Sequence, residues 1–148
     1  MISTELLRYY PYFAGVANDT LKEVAEISEE KKVPAGQTLF KEGETAKELL
    51  ILTEGHIDVF LELGSGKQVK VDAIVPGDIL SWSALIEPYR LRATATAKEN
   101  SKLISIDAGR LRDLCDGDHC LGYHLMRQIA NALSHRLGGA VTQLAASG

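Results

Sequence analysis

The central stretch of the chain is residues 77–97, which read GDILSWSALIEPYRLRATATA. This stretch predicts a turn and a short strand, then one helical turn that begins near Ser83, then a passage into a strand that carries Arg90 and Arg92. Backbone N–H groups at a helix start are unpaired and carry partial positive charge. A helix start with an adjacent arginine can therefore hold one anionic group, above all a phosphate.

The same stretch has a second interpretation. Trp82, Leu85 and Ile86 are large apolar residues of the kind that fill protein cores, and arginines are usually solvated. Helix starts and arginines are both common. The local pattern therefore leaves open whether this stretch is a binding site or an ordinary part of the core.

Composition limits the classes of function. A chain of 148 residues is most simply one domain. The net charge of −4 argues against nucleic acid as a direct partner. There is no basic-then-apolar signal segment, no apolar run long enough for a membrane helix, and only two cysteines, Cys115 and Cys120. We therefore expect a cytoplasmic protein that does not contact the membrane.

Helices are predicted at the N-terminus, within residues 1–30. The first covers residues 3–10 and stops before Pro11, because proline disfavours helical geometry in the residue that precedes it. Asn18 or Asp19 caps the second helix, in which apolar residues recur at intervals of three and four.

Residues 31–107 change to a strand-like texture. Short runs rich in valine, isoleucine and leucine alternate with turn residues, namely Pro34, Gly36, Gly43, Gly55, Gly64, Gly66, Pro76 and Gly77. Turns at such short intervals are typical of a β-barrel or sandwich. Residues 49–52, 57–63 and 69–75 predict a series of hairpins with one face buried.

The C-terminal segment, residues 108–146, predicts a short helix capped by Asp107 and a long one that starts at Asp116 or Asp118. Apolar residues form a stripe along the long helix, and we expect this stripe to be buried against another part of the protein or a partner. Its centre, Ile129, Leu133 and Leu137, is the candidate contact for a homodimer. Gly138 and Gly139 predict either fraying or close approach to a partner.

Four motifs occur in order between Pro34 and Thr94. They are Pro34-Ala35-Gly36-Gln37 with Phe40-Lys41-Glu42-Gly43, then Leu52-Thr53-Glu54-Gly55-His56-Ile57-Asp58-Val59, then Pro76-Gly77-Asp78, and then Ala84-Leu85-Ile86 leading to Arg92-Ala93-Thr94. With these motifs the whole chain resembles the cyclic nucleotide-binding domain family, as in catabolite activator proteins and protein kinase A regulatory subunits. The resemblance implies a mainly β fold with flanking helices: a double-stranded β-helix, or jelly-roll-like β-roll, with N-terminal helices and a long C-terminal helix.

The resemblance also implies a site. In this family a cradle between the short helix and the following strand holds the cyclic phosphate, and the C-terminal helix carries the signal. By position, Arg92 would pair with the phosphate, the backbone N–H groups of Ala84 and Ala93 would donate to it, and Arg90 is the second choice. The candidate ligand-binding residues are Ser81, Trp82, Ser83, Ala84, Leu85, Arg92, Ala93 and Thr94. The implied ligand is cyclic AMP, cyclic GMP or a similar small anion.

The chain departs from the family at residues 80–85, which read LSWSAL where the family has Phe-Gly-Glu-Leu-Ala-Leu. Trp82 stands where the family's glutamate accepts a hydrogen bond from the ribose 2′-hydroxyl, and an indole accepts none. Ser81 replaces a glycine. We therefore expect weak or absent cyclic AMP binding in the usual mode, with Glu87 as an alternative acceptor.

Other functions are weaker candidates. Cys115, His119, Cys120 and His124 lack a metal-site spacing, so no metal site is predicted. A haem sensor would use a single histidine, such as His56 or His119. No catalytic motif is present, and His56 has no paired histidine of the kind that metal-dependent cupins use, so we expect no enzymatic activity.

The remaining alternative is a degenerate domain that binds no nucleotide and acts as a protein–protein interaction or dimerisation module. No helix-turn-helix follows the long helix, which is typical either of a stand-alone domain or of a piece of a longer regulator.

Overall fold

Eight strands in two antiparallel sheets form the centre of the protein, for which the computed structural model describes residues 1–147. The strands are β1 (Ser28–Val33), β2 (Thr38–Phe40), β3 (Glu48–Glu54), β4 (Ile57–Glu62), β5 (Gln68–Ile74), β6 (Ile79–Leu80), β7 (Thr94–Ala97) and β8 (Ser101–Asp107). One sheet has the order β1-β8-β3-β6 and the other has the order β2-β7-β4-β5. The predicted mainly β fold with flanking helices is confirmed.

Helices precede and follow the strands. The α-helices are α1 (Thr4–Arg8), α2 (Asn18–Glu26), α3 (Ala108–Gly117) and α4 (His119–Ser147), and the two 3₁₀-helices are Pro11–Phe13 and Trp82–Leu85. Helix α1 is shorter than predicted because Tyr10 has extended backbone ahead of the proline-led 3₁₀-helix. Helix α2 begins at Asn18, and Ala17 occupies its cap position without a side-chain bond.

Strand β3 explains how the β-roll is packed. Leu50 and Leu52 point into a core between the two sheets, whereas Leu49 and Ile51 point into a second core that the helices cover. Successive side chains of a strand face opposite sides, so both faces of β3 are buried. The prediction of one buried face is therefore wrong for this strand, and its unbroken apolar run is the sequence signature of that double burial.

The β-roll begins earlier than residue 31. Strand β1 starts at Ser28, which pairs with Ile106 of β8 and is buried. The hydroxyl of Ser28 donates to the carbonyl oxygen of Val24 at 2.6 Å, which joins the end of α2 to the first strand. Residues 28–30 therefore belong to the β-roll and not to the helical segment.

Gly55, in the turn between β3 and β4, is required by its surroundings. Its φ is +103°, and a Cβ atom there would lie 2.2 Å from the Ser101 hydroxyl oxygen. Both the backbone angle and the contact exclude a side chain. This turn passes the chain from β3, which pairs with β8, to β4 of the other sheet, which pairs with β5 and β7.

The predicted caps of the C-terminal helices are found where expected. The Asp107 side chain accepts from the Arg110 N–H at 2.9 Å, and Asp118 accepts from the N–H groups of Cys120 and Leu121 at the start of α4. Helix α4 continues through Gly138 without a break. No helix within residues 1–147 has both the length and the apolarity that a membrane span requires.

The apolar stripe of α4 has two halves. Leu121, Leu125 and Ile129 are buried in the protein's own core, whereas Leu137 is 66% exposed and Leu144 is 73% exposed. The predicted homodimer contact therefore needs correction at Ile129, because that side chain is covered within one protomer. The uncovered part of the stripe begins after Leu133, which packs partly against the core.

Candidate functional site

A cavity of about 1150 Å³ lies between the β-roll and α4. Its wall on the β-roll side includes Asp72 of β5, Trp82 of the second 3₁₀-helix and Ala93. Tyr12 closes one end, and Arg136 projects from α4. The cavity therefore has an aromatic face, a carboxylate and a guanidinium within one enclosure.

Ser81 and Trp82 lie on different sides of the β-roll. Ser81 has a left-handed backbone (φ 60°), and its hydroxyl donates to the carbonyl oxygen of Glu48 at 2.7 Å. Ser81 lines a separate groove of about 520 Å³, whereas Trp82 lines the large cavity. A left-handed residue reverses the chain direction here, which aims the indole at α4.

Some backbone N–H groups of the second 3₁₀-helix already donate hydrogen bonds within the same segment. The Ala84 N–H donates to the Ser81 carbonyl oxygen at 3.1 Å, and the Ile86 N–H donates to the Ser83 carbonyl oxygen at 3.2 Å. A ligand would have to share the Ala84 donor with Ser81. Ser83 and Ala84 are buried, and Leu85 packs partly against the helix-covered core.

Trp82 is in contact with Arg136. The guanidinium carbon lies 4.5 Å from the centroid of the indole ring. One guanidinium nitrogen, Nη2, donates to the Ile79 carbonyl oxygen at 2.6 Å, and Nε lies 3.4 Å from a carboxylate oxygen of Asp72. Burial lowers the pKa of Arg136, while Asp72 and Asp78 oppose that change. Arginine remains charged at neutral pH, so this is a cation–π contact combined with an ion pair.

The two arginines of the central stretch have different environments. Arg90 donates from Nη1 to the Gly43 carbonyl oxygen at 3.0 Å and lines the groove shared with Ser81. Arg92 is exposed, and its guanidinium forms none of the hydrogen bonds or ion pairs found within residues 1–147. Arg92 itself is not among the residues that line the cavity, although the next residue, Ala93, is.

Thr94 has a structural role in the β-roll. It is buried, and its hydroxyl oxygen accepts from the Glu42 N–H at 3.0 Å. Of the eight predicted ligand-binding residues, the structure brings Trp82 and Ala93 to the cavity wall. Ser81 and Thr94 use their hydroxyl groups to hold the surrounding loops.

Two arginines that sequence reasoning missed hold the second 3₁₀-helix in place. Arg112 of α3 donates from Nη1 to the Ala84 carbonyl oxygen at 2.7 Å and stacks 4.2 Å from the centroid of the Tyr89 ring. Arg136 contacts Trp82 from the other side. One signal for Arg136 was available, because a residue seven positions after Ile129 lies on the apolar face of the helix. We find no comparable local signal for Arg112.

His56, one of the two histidines considered for haem, is bonded to a carboxylate. The Asp58 carboxylate lies 3.0 Å from the Lys70 ammonium and 3.1 Å from the His56 ring. Burial would raise the pKa of Asp58, but the bonds from Lys70 and His56 lower it overall. Within residues 1–147, no group of three or more acidic, histidine or cysteine side chains is arranged to hold a metal ion.

The two cysteines also differ in environment. Cys115 is half-buried and Cys120 is exposed. Burial, with smaller contributions from Asp116 and Asp118, raises the pKa of the Cys115 thiol to about 11. Cys115 is therefore a packing residue at neutral pH, since the thiolate is the reactive form.

Known proteins share this architecture. A family model described as the cyclic nucleotide-binding domain matches residues 30–118. A structure from Geobacter metallireducens, of a protein described as cyclic nucleotide-binding, is 38% identical, with a TM-score of 0.83 over 93% of this chain and 99% of the other. A cyclic nucleotide-binding domain from Methylobacillus flagellatus, 15% identical, shares the fold over 98% of this chain and 82% of its own, with a TM-score of 0.81.

Curated regulators match at lower identity. The cAMP-activated global transcriptional regulator of Pasteurella multocida is 29% identical over 70% of this chain and 50% of its own length. A CRP-like cAMP-activated global transcriptional regulator of Mycobacterium tuberculosis is 22% identical over 87% of this chain and 58% of its own length. The match covers between 50% and 58% of the length of these two curated relatives. From its fold and from the family match over most of the β-roll, the protein belongs to the cyclic nucleotide-binding domain family.

Proposed function

We propose that this protein is a non-enzymatic regulatory domain that senses a cyclic nucleotide or a similar small anionic ligand. The ligand enters the cavity between Trp82 and α4, and Arg92 pairs with its anionic group. The signal leaves through α4. The observation that carries this proposal is the open cavity with an aromatic face between the β-roll and α4. Arg92, one residue before the lining residue Ala93, is exposed and forms none of the hydrogen bonds or ion pairs found within residues 1–147.

Charge and shape support the ligand class. A flat base fits against an indole face, because aromatic rings stack favourably. An anionic group suits an exposed guanidinium, which forms charge-assisted hydrogen bonds. Trp82 lacks the acceptor that a ribose hydroxyl needs, so cyclic AMP binds weakly.

Calorimetry with a matched pair of variants tests the proposal. Arg92→Gln removes a guanidinium that has no partner within residues 1–147. Arg90→Gln is the control, because Arg90 lies two positions earlier in the chain and its guanidinium donates to the Gly43 carbonyl oxygen. Titrated with cyclic AMP and cyclic GMP, Arg92→Gln loses affinity by about tenfold or more, the effect of one charge-assisted hydrogen bond. Arg90→Gln keeps the wild-type affinity. Equal affinities for the wild type and Arg92→Gln would contradict the role of Arg92.

A second function has specific support. The Arg136 guanidinium already covers a face of the Trp82 ring, and α4 exposes Leu137, Val141 and Leu144. A domain that binds no nucleotide and pairs with a protein through this uncovered end of α4 would show both features. The absence of any heat with either nucleotide, together with self-association through α4, would favour this function.

A further inference from the structure

Arg136 is the side chain of α4 that joins three separate parts of the β-roll wall. It donates to the Ile79 carbonyl oxygen of β6 at 2.6 Å, lies 3.4 Å from the Asp72 carboxylate of β5, and stacks on Trp82 of the second 3₁₀-helix. Its side chain is only 19% exposed. Each contact forms with a residue that lines the cavity, and Arg136 is itself part of that lining.

The same guanidinium competes with a ligand for space. A flat ring that enters the cavity finds its best surface on the indole of Trp82, because an aromatic face attracts both rings and cations. Arg136 already lies 4.5 Å from the centre of that ring. A ligand therefore reaches this face of the indole only after Arg136 leaves it.

Among the side chains of α4 within residues 1–147, Arg136 makes the last hydrogen bond to the β-roll. Leu121, Leu125 and Ile129 hold the first half of the helix in the core. After Arg136, the side-chain hydrogen bonds found within residues 1–147 run from Thr142 to Gly138 and from Ser147 to Leu144, all inside α4. The contact between Arg136 and the cavity wall is therefore coupled to the position of the last third of α4.

We propose that Arg136 is a latch that decides which ligands the cavity admits. If Arg136 leaves the Asp72 carboxylate and the Ile79 carbonyl oxygen, its guanidinium needs another hydrogen-bond acceptor of comparable strength. An admitted ligand therefore combines a planar aromatic ring, which replaces the guanidinium on Trp82, with an anionic group, which pairs with Arg92 and also attracts Arg136 away from Asp72. A neutral aromatic molecule supplies only the ring, so the latch stays closed. This role rests on the ligand-sensing function proposed above.

The latch is tested first without any ligand. Arg136→Gln is compared with Arg127→Gln, a control on the same helix in which the arginine stacks on the exposed Tyr123, 5.7 Å from its ring centroid and outside the cavity. Trp82 is the only tryptophan, so intrinsic fluorescence reports on the cavity alone. We expect a red-shifted emission and stronger acrylamide quenching for Arg136→Gln. Hydrogen exchange across residues 131–147 rises about tenfold, since a cation–π contact and a charge-assisted bond are both lost.

Asp72→Asn is the second variant, because it weakens the latch and leaves Arg136 in place. It shifts emission and exchange in the same direction by a smaller amount. Circular dichroism melting confirms that each variant is folded. The latch is overturned if Arg136→Gln and Asp72→Asn match the wild type in both readouts, or if Arg127→Gln changes them equally.

The ligand arm uses cyclic AMP and adenosine, which share a ring and differ in the anionic group. The wild type prefers cyclic AMP, and Arg136→Gln gains affinity for adenosine. If the wild type binds adenosine as tightly as cyclic AMP, the selecting role of Arg136 is wrong. If neither molecule binds any variant, the proposed sensing function fails, and the ligand-free comparison still decides whether Arg136 is a latch.

Discussion

Trp82 is the residue at which the sequence predicts a departure from the chemistry of the family. Its indole fills a position on the cavity wall and stacks with Arg136. We expect Trp82→Glu to raise affinity for cyclic AMP, because a carboxylate accepts hydrogen bonds and occupies less space than an indole. Isothermal titration calorimetry measures this directly.

The control for that substitution is Trp82→Leu, which removes bulk and supplies no acceptor. A gain with Glu and none with Leu assigns the effect to the acceptor. Equal gains would assign it to space alone. Tight cyclic AMP binding by the unmodified protein would show that Trp82 is compatible with the ligand.

The two cysteines test how α3 and α4 pack, because Cys115 is half-buried and Cys120 is exposed. The raised pKa of Cys115 keeps its thiol protonated well above neutral pH, whereas Cys120 is exposed. In the native protein at mildly alkaline pH we expect an aromatic disulfide reagent to label Cys120 rapidly and Cys115 only on unfolding. Labelling of both at one rate would contradict the packing of Cys115 between α3 and α4.

At the scale of single residues, the sequence predicted the caps of α3 and α4 but not that of α2, where Ala17 and not Asn18 or Asp19 holds the cap position. Asp107 and Asp118 were recognisable because an acidic side chain precedes each helix. Arg136 was not singled out, because its partners Asp72 and Ile79 are more than fifty residues away in the chain. Such long-range partners leave no local pattern.

Helix α4 is the element on which signalling would depend, and its glycine pair is unusual. Gly138 and Gly139 lie in continuous helix, and an added Cβ at either position meets nothing within 4 Å. We expect Gly138→Ala with Gly139→Ala to stabilise the last turns of α4, by about 1 kcal/mol for each residue. Hydrogen exchange of residues 134–147 slows accordingly.

An opposite result would have a clear meaning. If the two alanines weaken self-association or leave the helix no more protected, the glycines serve the close approach of a partner chain. The sequence left fraying and close approach open. Within one protomer, the structure shows a helix that passes through both glycines to Ser147.

The positions of the strands and helices were predicted more reliably than which of their faces are buried. Glycine-punctuated apolar runs were enough to predict the strands of the β-roll, and the spacing of leucines was enough to predict α4. The double burial of β3 was not predicted, because a continuous apolar run does not tell which element covers its second face. Ser28 was assigned to the helical segment for a similar reason, since a single buried serine carries no strand signal.

At the scale of the whole molecule, the uncovered stripe on α4 is where self-association would occur. Leu137, Val141 and Leu144 lie on one face and are more than half exposed. We propose that a second copy of the chain covers this face, and we expect Leu137→Glu with Val141→Glu to shift sedimentation towards the monomer. The control is Thr142→Glu, because Thr142 is exposed on the same helix and lies about 100° around the helix axis from Val141, away from the stripe. A wild-type protein that sediments as a monomer at micromolar concentrations would contradict the dimer.

The central claim is that the cavity between the β-roll and α4 is the ligand site. The single tryptophan, Trp82, lines this cavity and therefore reports directly on whether a ligand enters it. In a proton–nitrogen NMR spectrum, Trp82 gives the one indole N–H resonance. We expect that resonance to move saturably when cyclic AMP or cyclic GMP is added to millimolar concentration, and Arg92→Gln to weaken the change. A Trp82 resonance that stays fixed with both nucleotides would contradict the sensor, and the domain would then act through the surface of α4 alone.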